Sequence, residues 1–432
     1  MRHRLVLLVA LLSIAASTFS QTPATAALKE VHGVGLKTLR EPQLVELTGL
    51  AIGSQVARAD LQAAADILLR SGLFAKVNYS FNTKNDAVIV TYTVEENPRL
   101  KVTFDNFPWF SDSELGDAIR RDLPFYDGTL PEGGTVVDIA GNSIAAFLAS
   151  KGTVATVGHE VIVNPLADGS LQQFHVEGIA PKIASIEFSD PNLKDDKAVL
   201  QHMPEIRGKP YSRMAIDIFL AESIRPIYQE LGNLRATLGP PEVRLTGNPN
   251  QKLPEQIPVF VPCTPGGVYQ WQGLTWSGNS ALSAITLTTT AGMKPGEVAN
   301  GIKIEQGWDQ VRDAYGHLGF LEAKLNPVPI YDDQAHKVSY NVSVVEGTQY
   351  HFSAMTITGM SLAGEKLIRD AWPQTPGEVF DQKIFDDLLT RLQLPAKRET
   401  VFKQLPIHYD TVGHWLQTDS AKGTVDVLLD FK

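Results

Sequence analysis

The sequence predicts an α+β protein, a tandem array of small β-α-α-β-β domains, each with a helix pair packed on a three-stranded mixed sheet. One observation is a glycine that ends a helix before an apolar segment. It recurs as Gly72, Gly152, Gly232 and Gly319, at intervals of 80, 80 and 87 residues. The other is the order of apolar-periodic helices and alternating strands between these glycines. Repetition at such a period indicates an array of similar modules.

Residues 1–26 are typical of a secretory signal peptide. Arg2 and Arg4 precede an apolar run from Leu5 to Ala16, which is too short to span a bilayer, and Ala24-Thr25-Ala26 offers small residues for cleavage. A second possible cut follows Ser20, and an uncleaved membrane anchor is the alternative interpretation. The chain is therefore expected to be secreted across the inner membrane.

Composition narrows the possible functions. The 432 residues are too many for a single hydrophobic core. A net charge of −10 without a basic block argues against nucleic acid or anionic lipid as a partner. Cys263 is the one cysteine, which excludes an intrachain disulfide, and its apolar surroundings predict a buried structural thiol.

The first predicted domain covers residues 28–97. A strand over residues 29–36 is followed by a helix that Pro42 opens and Gly49 closes. The second helix places apolar residues on one stripe, namely Leu61, Ala64, Ala65, Leu68 and Leu69. Two alternating strands, over 77–81 and 87–94, then form a hairpin.

The second and third domains are predicted over residues 100–178 and 181–264. The second repeats the first closely, with an Asp168-Gly169 turn in its hairpin. The third has a long helix from Met214 to Leu231. Its hairpin is irregular, because Pro240 and Pro241 interrupt the first of its two strands.

The fourth and fifth domains are predicted over residues 267–347 and 349–432. In the fourth, Ser280 is expected to cap a helix over 281–288. The fifth has Leu394-Pro395 where the others have the glycine, and its second strand is expected to contain Pro406.

At this point the sequence resembles the POTRA domains of BamA-like outer-membrane assembly proteins. Those domains are β-α-α-β-β and have a glycine followed by an apolar residue after the second helix, and a final strand that ends in a Val-x-Glu-like pattern. The matching segments are Gly72-Leu73-Phe74 with Val94-Glu95-Glu96-Asn97-Pro98, Gly319-Phe320 with Val345-Glu346-Gly347, and Ser277-Gly278-Asn279. The resemblance covers most of residues 28–432.

The resemblance implies a non-enzymatic periplasmic scaffold for outer-membrane protein assembly or secretion, at the periphery of that membrane. Its partners would be unfolded outer-membrane protein precursors or a separate membrane barrel protein, and it would need no cofactor or metal. One departure is that BamA-like proteins continue into a membrane barrel, for which nothing remains after Lys432. Either the chain is a stand-alone periplasmic array, or the barrel lies in another polypeptide.

Two functions of other classes are alternatives to a periplasmic scaffold. A repeat-based secreted hydrolase would need a catalytic motif, and the sequence contains neither His-Glu-x-x-His, Gly-x-Ser-x-Gly nor a phosphate loop. An extracellular adhesion protein would differ from a periplasmic scaffold mainly in its localisation. The sequence therefore favours an interaction protein over an enzyme.

A three-stranded sheet has open edges to which an extended peptide can add as a further strand. In POTRA-like domains the second strand is the open edge, and proline blocks pairing there. Pro240, Pro241, Pro327, Pro329 and Pro406 affect three domains, whereas the second strands of the first two domains contain none. The predicted peptide-binding residues are Val77, Tyr79, Phe81, Val154, Val157, Val161 and Val163.

We expect limited proteolysis of the mature chain to cut near residues 97–100, 178–181, 264–267 and 347–350. These segments separate complete repeats, where few contacts are expected to cross. Mass spectrometry of the resistant fragments checks the boundaries. Fragments that end inside the second helices would contradict this domain division.

Overall fold

The computed structural model describes residues 25–84, 87–178, 180–243, 254–402 and 407–432. The predicted signal peptide falls outside these residues except at Thr25 and Ala26. Within this part of the chain, no helix has the length and apolar character needed to cross a membrane. Contacts divide the chain into two compact units, one extending to Pro181 and including Tyr211–Arg213, the other formed mainly by the chain after Lys182.

The first repeat is a helix pair on a four-stranded sheet. Its elements are β1 (Ala26–Val34), α1 (Glu41–Thr48), β2 (Gln55–Val56), α2 (Arg58–Arg70), β3 (Phe74–Lys84) and β4 (Ala87–Glu96). The strand order is β2-β1-β4-β3. The predicted stripe of α2 buries Leu61, Ala64, Ala65 and Leu68, whereas Leu69 remains 42% exposed.

The second repeat has the same arrangement. Its elements are β5 (Arg99–Phe104), α3 (Asp112–Asp122), β6 (Thr129–Pro131), α4 (Thr135–Ser150), β7 (Val157–Val163) and β8 (Ser170–Val176). The order is β6-β5-β8-β7. One continuous apolar core, which includes Leu44, Leu68, Phe107 and Ile144, runs through both repeats.

The third repeat is the irregular one, as predicted. Its first part contains β9 (Lys182–Phe188), a 3-10 turn (Pro191–Leu193), α5 (Lys197–His202), another 3-10 turn (Met203–Glu205), α6 (Arg213–Phe219), a π-helical turn (Leu220–Ile224) and α7 (Arg225–Glu230). Its strands are β10 (Thr237–Leu238), β11 (Glu242–Val243), β12 (Gln256–Val261) and β13 (Cys263–Thr264). The predicted long helix thus contains a π-turn just before Pro226, whose missing N–H cannot continue the regular bonding pattern.

Cys263 lies in this repeat and is half-buried rather than fully buried. Burial raises the pKa of its thiol, and the Sγ–H group lies 3.4 Å from the Val261 carbonyl oxygen. A thiol with a raised pKa holds little thiolate at neutral pH, so this cysteine is a weak nucleophile.

The fourth and fifth repeats each have a three-stranded sheet. The fourth contains β14 (Gln270–Ser277), α8 (Ala284–Ala291), α9 (Gly301–Gly316), β15 (Lys324–Asp332) and β16 (Lys337–Val345). The fifth contains β17 (His351–Thr358), α10 (Leu362–Asp370), α11 (Gln382–Gln393), α12 (Pro395–Phe402), β18 (Val412–Asp419) and β19 (Thr424–Phe431). Two expectations need correction: the side chain of Ser283, not Ser280, caps α8 by accepting from the Thr286 N–H, and α12 is an unpredicted third helix.

Every repeat closes its sheet by the same pairing. The first strand runs parallel to the last, as in β1–β4, β5–β8, β9–β12, β14–β16 and β17–β19. The last strand then pairs antiparallel with the second strand of the repeat. The predicted mixed sheet is therefore present, with the last strand in the interior and the second strand at an edge.

Three of the recurring glycines lie where one repeat meets the next within a unit. Gly72, Gly232 and Gly319 have positive φ angles of 82°, 84° and 78°. The carbonyls of Gly232 and Gly319 accept hydrogen bonds from the N–H groups of Tyr269 and Tyr350, at 2.9 and 2.8 Å. A Cβ atom on Gly319 would lie 2.5 Å from the Tyr350 carbonyl oxygen. These glycines therefore serve both as helix caps and as close contacts with the following repeat.

We expect Gly319→Ala to destabilise the fourth and fifth repeats together, by more than about 2 kcal/mol. The left-handed backbone alone costs an alanine about 1 kcal/mol, and the contact with Tyr350 adds overpacking. Gly296→Ala is the matched control, because Gly296 has a φ of 89° and no atom within 4 Å of the added Cβ. Urea unfolding with hydrogen exchange of β16 and β19 measures both effects. Equal losses in the two variants would contradict the contact.

Glu96, at the end of β4, binds the loop that follows β1. Its Oε1 atom accepts from the backbone N–H groups of Lys37 and Leu39 at 2.9 and 3.1 Å, and the Thr38 hydroxyl also donates to the carboxylate. Partial burial would raise the pKa of Glu96, but these hydrogen bonds outweigh it and the pKa is lowered. The carboxylate therefore stabilises the first repeat in its charged form.

We expect Glu96→Gln to lower the stability of the first repeat by about 1 kcal/mol or more at pH 7. The pKa of Glu96 is lowered on folding. Its contribution to the stability of the first repeat is therefore fully present at pH values above the ordinary glutamate pKa, and it is lost as the pH falls through the lowered pKa. The melting temperatures of variant and native chain should therefore converge in acid. Glu95→Gln, which removes only an exposed ion pair with Lys76, is the control.

Candidate functional site

The open sheet edges are the candidate site, and the strand order defines them. The second strand of the repeat lies at an edge in the first, second, fourth and fifth repeats, as β3, β7, β15 and β18. On the opposite side of each sheet lies the first strand of the repeat, and the beginning of that strand is covered by the connection between the two helices. That connection forms β2 and β6 in the first two repeats and single bridges at Pro210, Val298 and Val379 in the others.

Hydrogen bonds at both ends of the β7–β8 hairpin show which backbone groups of β7 face outward. The Glu177 N–H donates to the Thr156 carbonyl at 2.9 Å, and the Asn164 N–H donates to the Gly169 carbonyl at 2.9 Å. The backbone N–H and C=O groups of even-numbered β7 residues therefore point toward β8, and those of odd-numbered residues point toward the open edge, because backbone direction alternates along a strand. The predicted residues Val157, Val161 and Val163 thus carry outward N–H and C=O groups.

The side chains of β7 are exposed along much of this edge. Val161 is 38% and Val163 is 79% exposed, whereas Val157 is half-buried against the core. A groove of about 390 Å³ lies between β7 and α4, lined by Asp138, Asn142 and His159 among others. The strand was predicted to begin at Val154, but β7 begins at Val157, and Val154 precedes it and is 90% exposed. β8 ends at Val176, opposite Val157, so no strand reaches Val154.

In β3 the predicted residues are placed differently. Val77 and Tyr79 are half-buried against the core, and the Tyr79 ring lies 6.0 Å from that of Tyr92. Phe81 is 44% exposed. These three residues pair with core-facing residues of β4, and the prolines of β15 occupy the equivalent positions opposite Val342 and Tyr340.

Two proline predictions hold and one is wrong. Pro327 and Pro329 lie in β15 at positions whose backbone faces the open edge, and because proline has no N–H they remove donors from that edge. Pro240 and Pro241 lie between β10 and β11. In the fifth repeat, Pro406 lies outside the described residues, and the edge strand β18 begins only at Val412 and contains no proline. The fifth repeat therefore also has an unblocked edge, which the sequence analysis missed.

The β18 edge carries an exposed aromatic residue. Trp415 is 56% exposed, and the N–H of Thr411 and the carbonyl of Lys432 pair the ends of β18 and β19. The sequence signal for this edge was weak, because Trp415 and Leu416 are adjacent and the segment from Val412 to Thr418 does not alternate strictly. The sequence analysis instead expected the second strand to contain Pro406, because it did not predict α12.

The polar side chains of the site do not form a catalytic arrangement within the described residues. His159 Nε2 lies 3.2 Å from Asp138 Oδ1, and no serine or cysteine nucleophile is bonded to this pair. On α11, partial burial together with Asp313 and Asp387 raises the pKa of Asp386. Within the described ranges, no group of three His, Cys, Asp or Glu side chains is placed to hold a metal.

Comparison with known families identifies two of the repeats. Residues 26–97 and 269–347 match the POTRA family, described as a surface antigen variable number repeat. Both matched segments have the β-α-α-β-β order and the mixed sheet described above. These two repeats are POTRA domains, so the chain carries POTRA domains in both of its compact units.

A curated relative and several solved structures are similar to parts of the chain. A protein of Treponema pallidum (strain Nichols), named as an outer membrane protein assembly factor, is 29% identical over 127 residues, which are 29% of this chain and 15% of that protein. The chain thus matches only a small part of that relative.

Among structures, POTRA3-5 of Haemophilus influenzae BamA is 17% identical with a TM-score of 0.45, over 59% of this chain and 97% of the other. POTRA1-3 of Omp85 from Anabaena is 16% identical with a TM-score of 0.17, over 75% of this chain and 96% of the other. The domain assignment rests on the family match and the strand order, not on these overlays.

Proposed function

We propose that this protein is a non-enzymatic periplasmic scaffold that takes part in outer-membrane protein assembly by binding extended polypeptide. The observation that carries the proposal is the set of unblocked edge strands, above all β7, whose outward backbone groups lie beside exposed valines. The POTRA match and the name of the Treponema relative support the assembly role.

Strand addition accounts for both affinity and tolerance toward different clients. An added strand forms main-chain hydrogen bonds with the N–H and C=O groups of Val157, His159, Val161 and Val163, which are independent of the client's sequence. Alternate side chains of the client then contact Val161 and Val163 on one face of the sheet. Such a small contact area gives transient binding, which suits a scaffold that must release its clients.

β7 is the stronger of the two predicted edges. In β3 the side chains of Val77 and Tyr79 already pack in the core, so that a client strand would gain mainly backbone hydrogen bonds. In β7 the exposed valines also offer apolar area. Partners of the scaffold would be unfolded barrel precursors or a separate barrel protein.

We expect Val161→Pro to weaken the binding of alternating apolar peptides by about tenfold or more, from a micromolar to millimolar range. The substitution removes an outward N–H and leaves the donors that face β8 intact. Amide shift mapping by NMR on the mature chain should place the native footprint on β7, and to a lesser extent on β3.

Val161→Thr is the matched control, because threonine keeps the N–H group and the β-branched shape. Glu160→Pro serves as a second comparison, since its N–H faces β8 and its loss should unfold the hairpin. Shifts confined to the helices, or equal binding by Val161→Pro and Val161→Thr, would show that strand addition at β7 is the wrong mechanism.

A further inference from the structure

The third repeat contains a groove that the open second strands do not explain. It has a volume of about 910 Å³ and lies between β9 and the segment from Leu193 to Arg207, which includes α5. All of its lining residues belong to the second compact unit. The groove therefore differs in location and in construction from the β3 and β7 edges.

One wall of the groove is the outer edge of β9. Ser185, Ile186, Glu187 and Phe188 all line it, although successive side chains in a strand point to opposite faces. A cavity that touches four consecutive residues must run along the strand edge rather than over one face. β9 is indeed terminal in the order β11-β12-β9.

The outer edge of β9 is occupied only at its beginning. The Ile183 N–H donates to the Lys209 carbonyl, and the Ile183 carbonyl accepts from the Gly208 N–H, both at 2.9 Å. Beyond Ile183, no strand of the described chain pairs with this edge. The edge is thus open for the part of β9 that lines the groove.

The direction of the free backbone groups follows from the end of the strand. The Ser189 N–H donates to the Val261 carbonyl at 3.0 Å and so faces β12. A register shift between Ile183 and Ser185 changes which residues face outward, and beyond it direction alternates back from Ser189, so Phe188 and Ile186 present their N–H and C=O groups to the groove. The groove thus offers two donors and two acceptors at the spacing of a neighbouring strand.

The opposite wall is apolar with basic residues. Leu200, which is 55% exposed, and Met203 provide the apolar surface. Lys194 and Arg207 also line the groove, and neither forms an ion pair with another described residue. Glu187 is the only carboxylate among the lining residues. The groove is therefore locally basic on a chain whose net charge is −10.

We propose that this groove binds an extended acidic peptide that pairs with β9. An apolar side chain of the peptide contacts Leu200 and Met203, and a carboxylate of the peptide contacts Lys194 or Arg207. The unpaired cations of Lys194 and Arg207 favour an acidic peptide, because they would repel a basic peptide bound in the groove. The proposal is independent of binding at β3 and β7.

The test uses the mature chain carrying Tyr79→Pro, Val161→Pro and His414→Pro, each of which removes an outward N–H, so that the open edges of β3, β7 and β18 do not bind the probe. The probe is a fluorescein-labelled peptide of alternating valine and threonine with aspartate at both ends, followed by fluorescence anisotropy. We expect Lys194→Glu with Arg207→Glu to weaken binding by about tenfold or more. Lys303→Glu with Lys337→Glu, which makes the same charge change elsewhere on the second unit, should leave binding within about twofold.

A second pair of variants tests the backbone contact. Phe188→Pro removes an outward N–H without removing a donor to β12 and should abolish binding, whereas Phe188→Leu should retain it. Circular dichroism melts verify that each variant is folded. A probe with lysine in place of aspartate should bind about tenfold more weakly. Equal binding of the two probes, or equal binding by the two double charge variants, would overturn the groove proposal and leave the β7 proposal untouched.

Discussion

The parallel pairing of the first and last strands in each repeat is the constraint on which the rest of the structure depends. The chain must pass through both helices and one strand before the last strand can join the first. Because the last strand is then bonded on both sides, the second strand is left at an edge. Open edges therefore follow from topology, and residue choice decides only whether an edge is usable. Prolines make the β15 edge a poor site for an added strand, and exposed valines make the β7 edge a good one.

The sequence was sufficient for the elements that depend on local signals. The stripe of α2, the prolines of β15 and the recurring glycines are all visible as patterns, and each glycine has the left-handed backbone that a helix cap requires. What the sequence did not show is that Gly72, Gly232 and Gly319 also touch the next repeat. That contact joins residues distant in sequence, and a helix cap on its own gives no sign of it.

The errors have the same origin. Val154 was included in a strand because it is apolar, but β7 can extend only as far as β8 accompanies it. The β18 edge was missed because α12 displaced the expected strand toward the end of the chain. The groove beside β9 depends on the distance between the strand and the short helix α5. Hydrophobic periodicity carries no information about that distance.

The glycine contacts have a consequence for how such a chain could change in length. Two of these joints, Gly232 with Tyr269 and Gly319 with Tyr350, consist of a carbonyl at the end of one repeat's second helix and an N–H at the start of the next repeat's first strand. A repeat copied in tandem would carry both halves of this connection with it. The array can therefore gain or lose whole modules by gene duplication or deletion, whereas an insertion between a glycine and the following strand would separate the two halves.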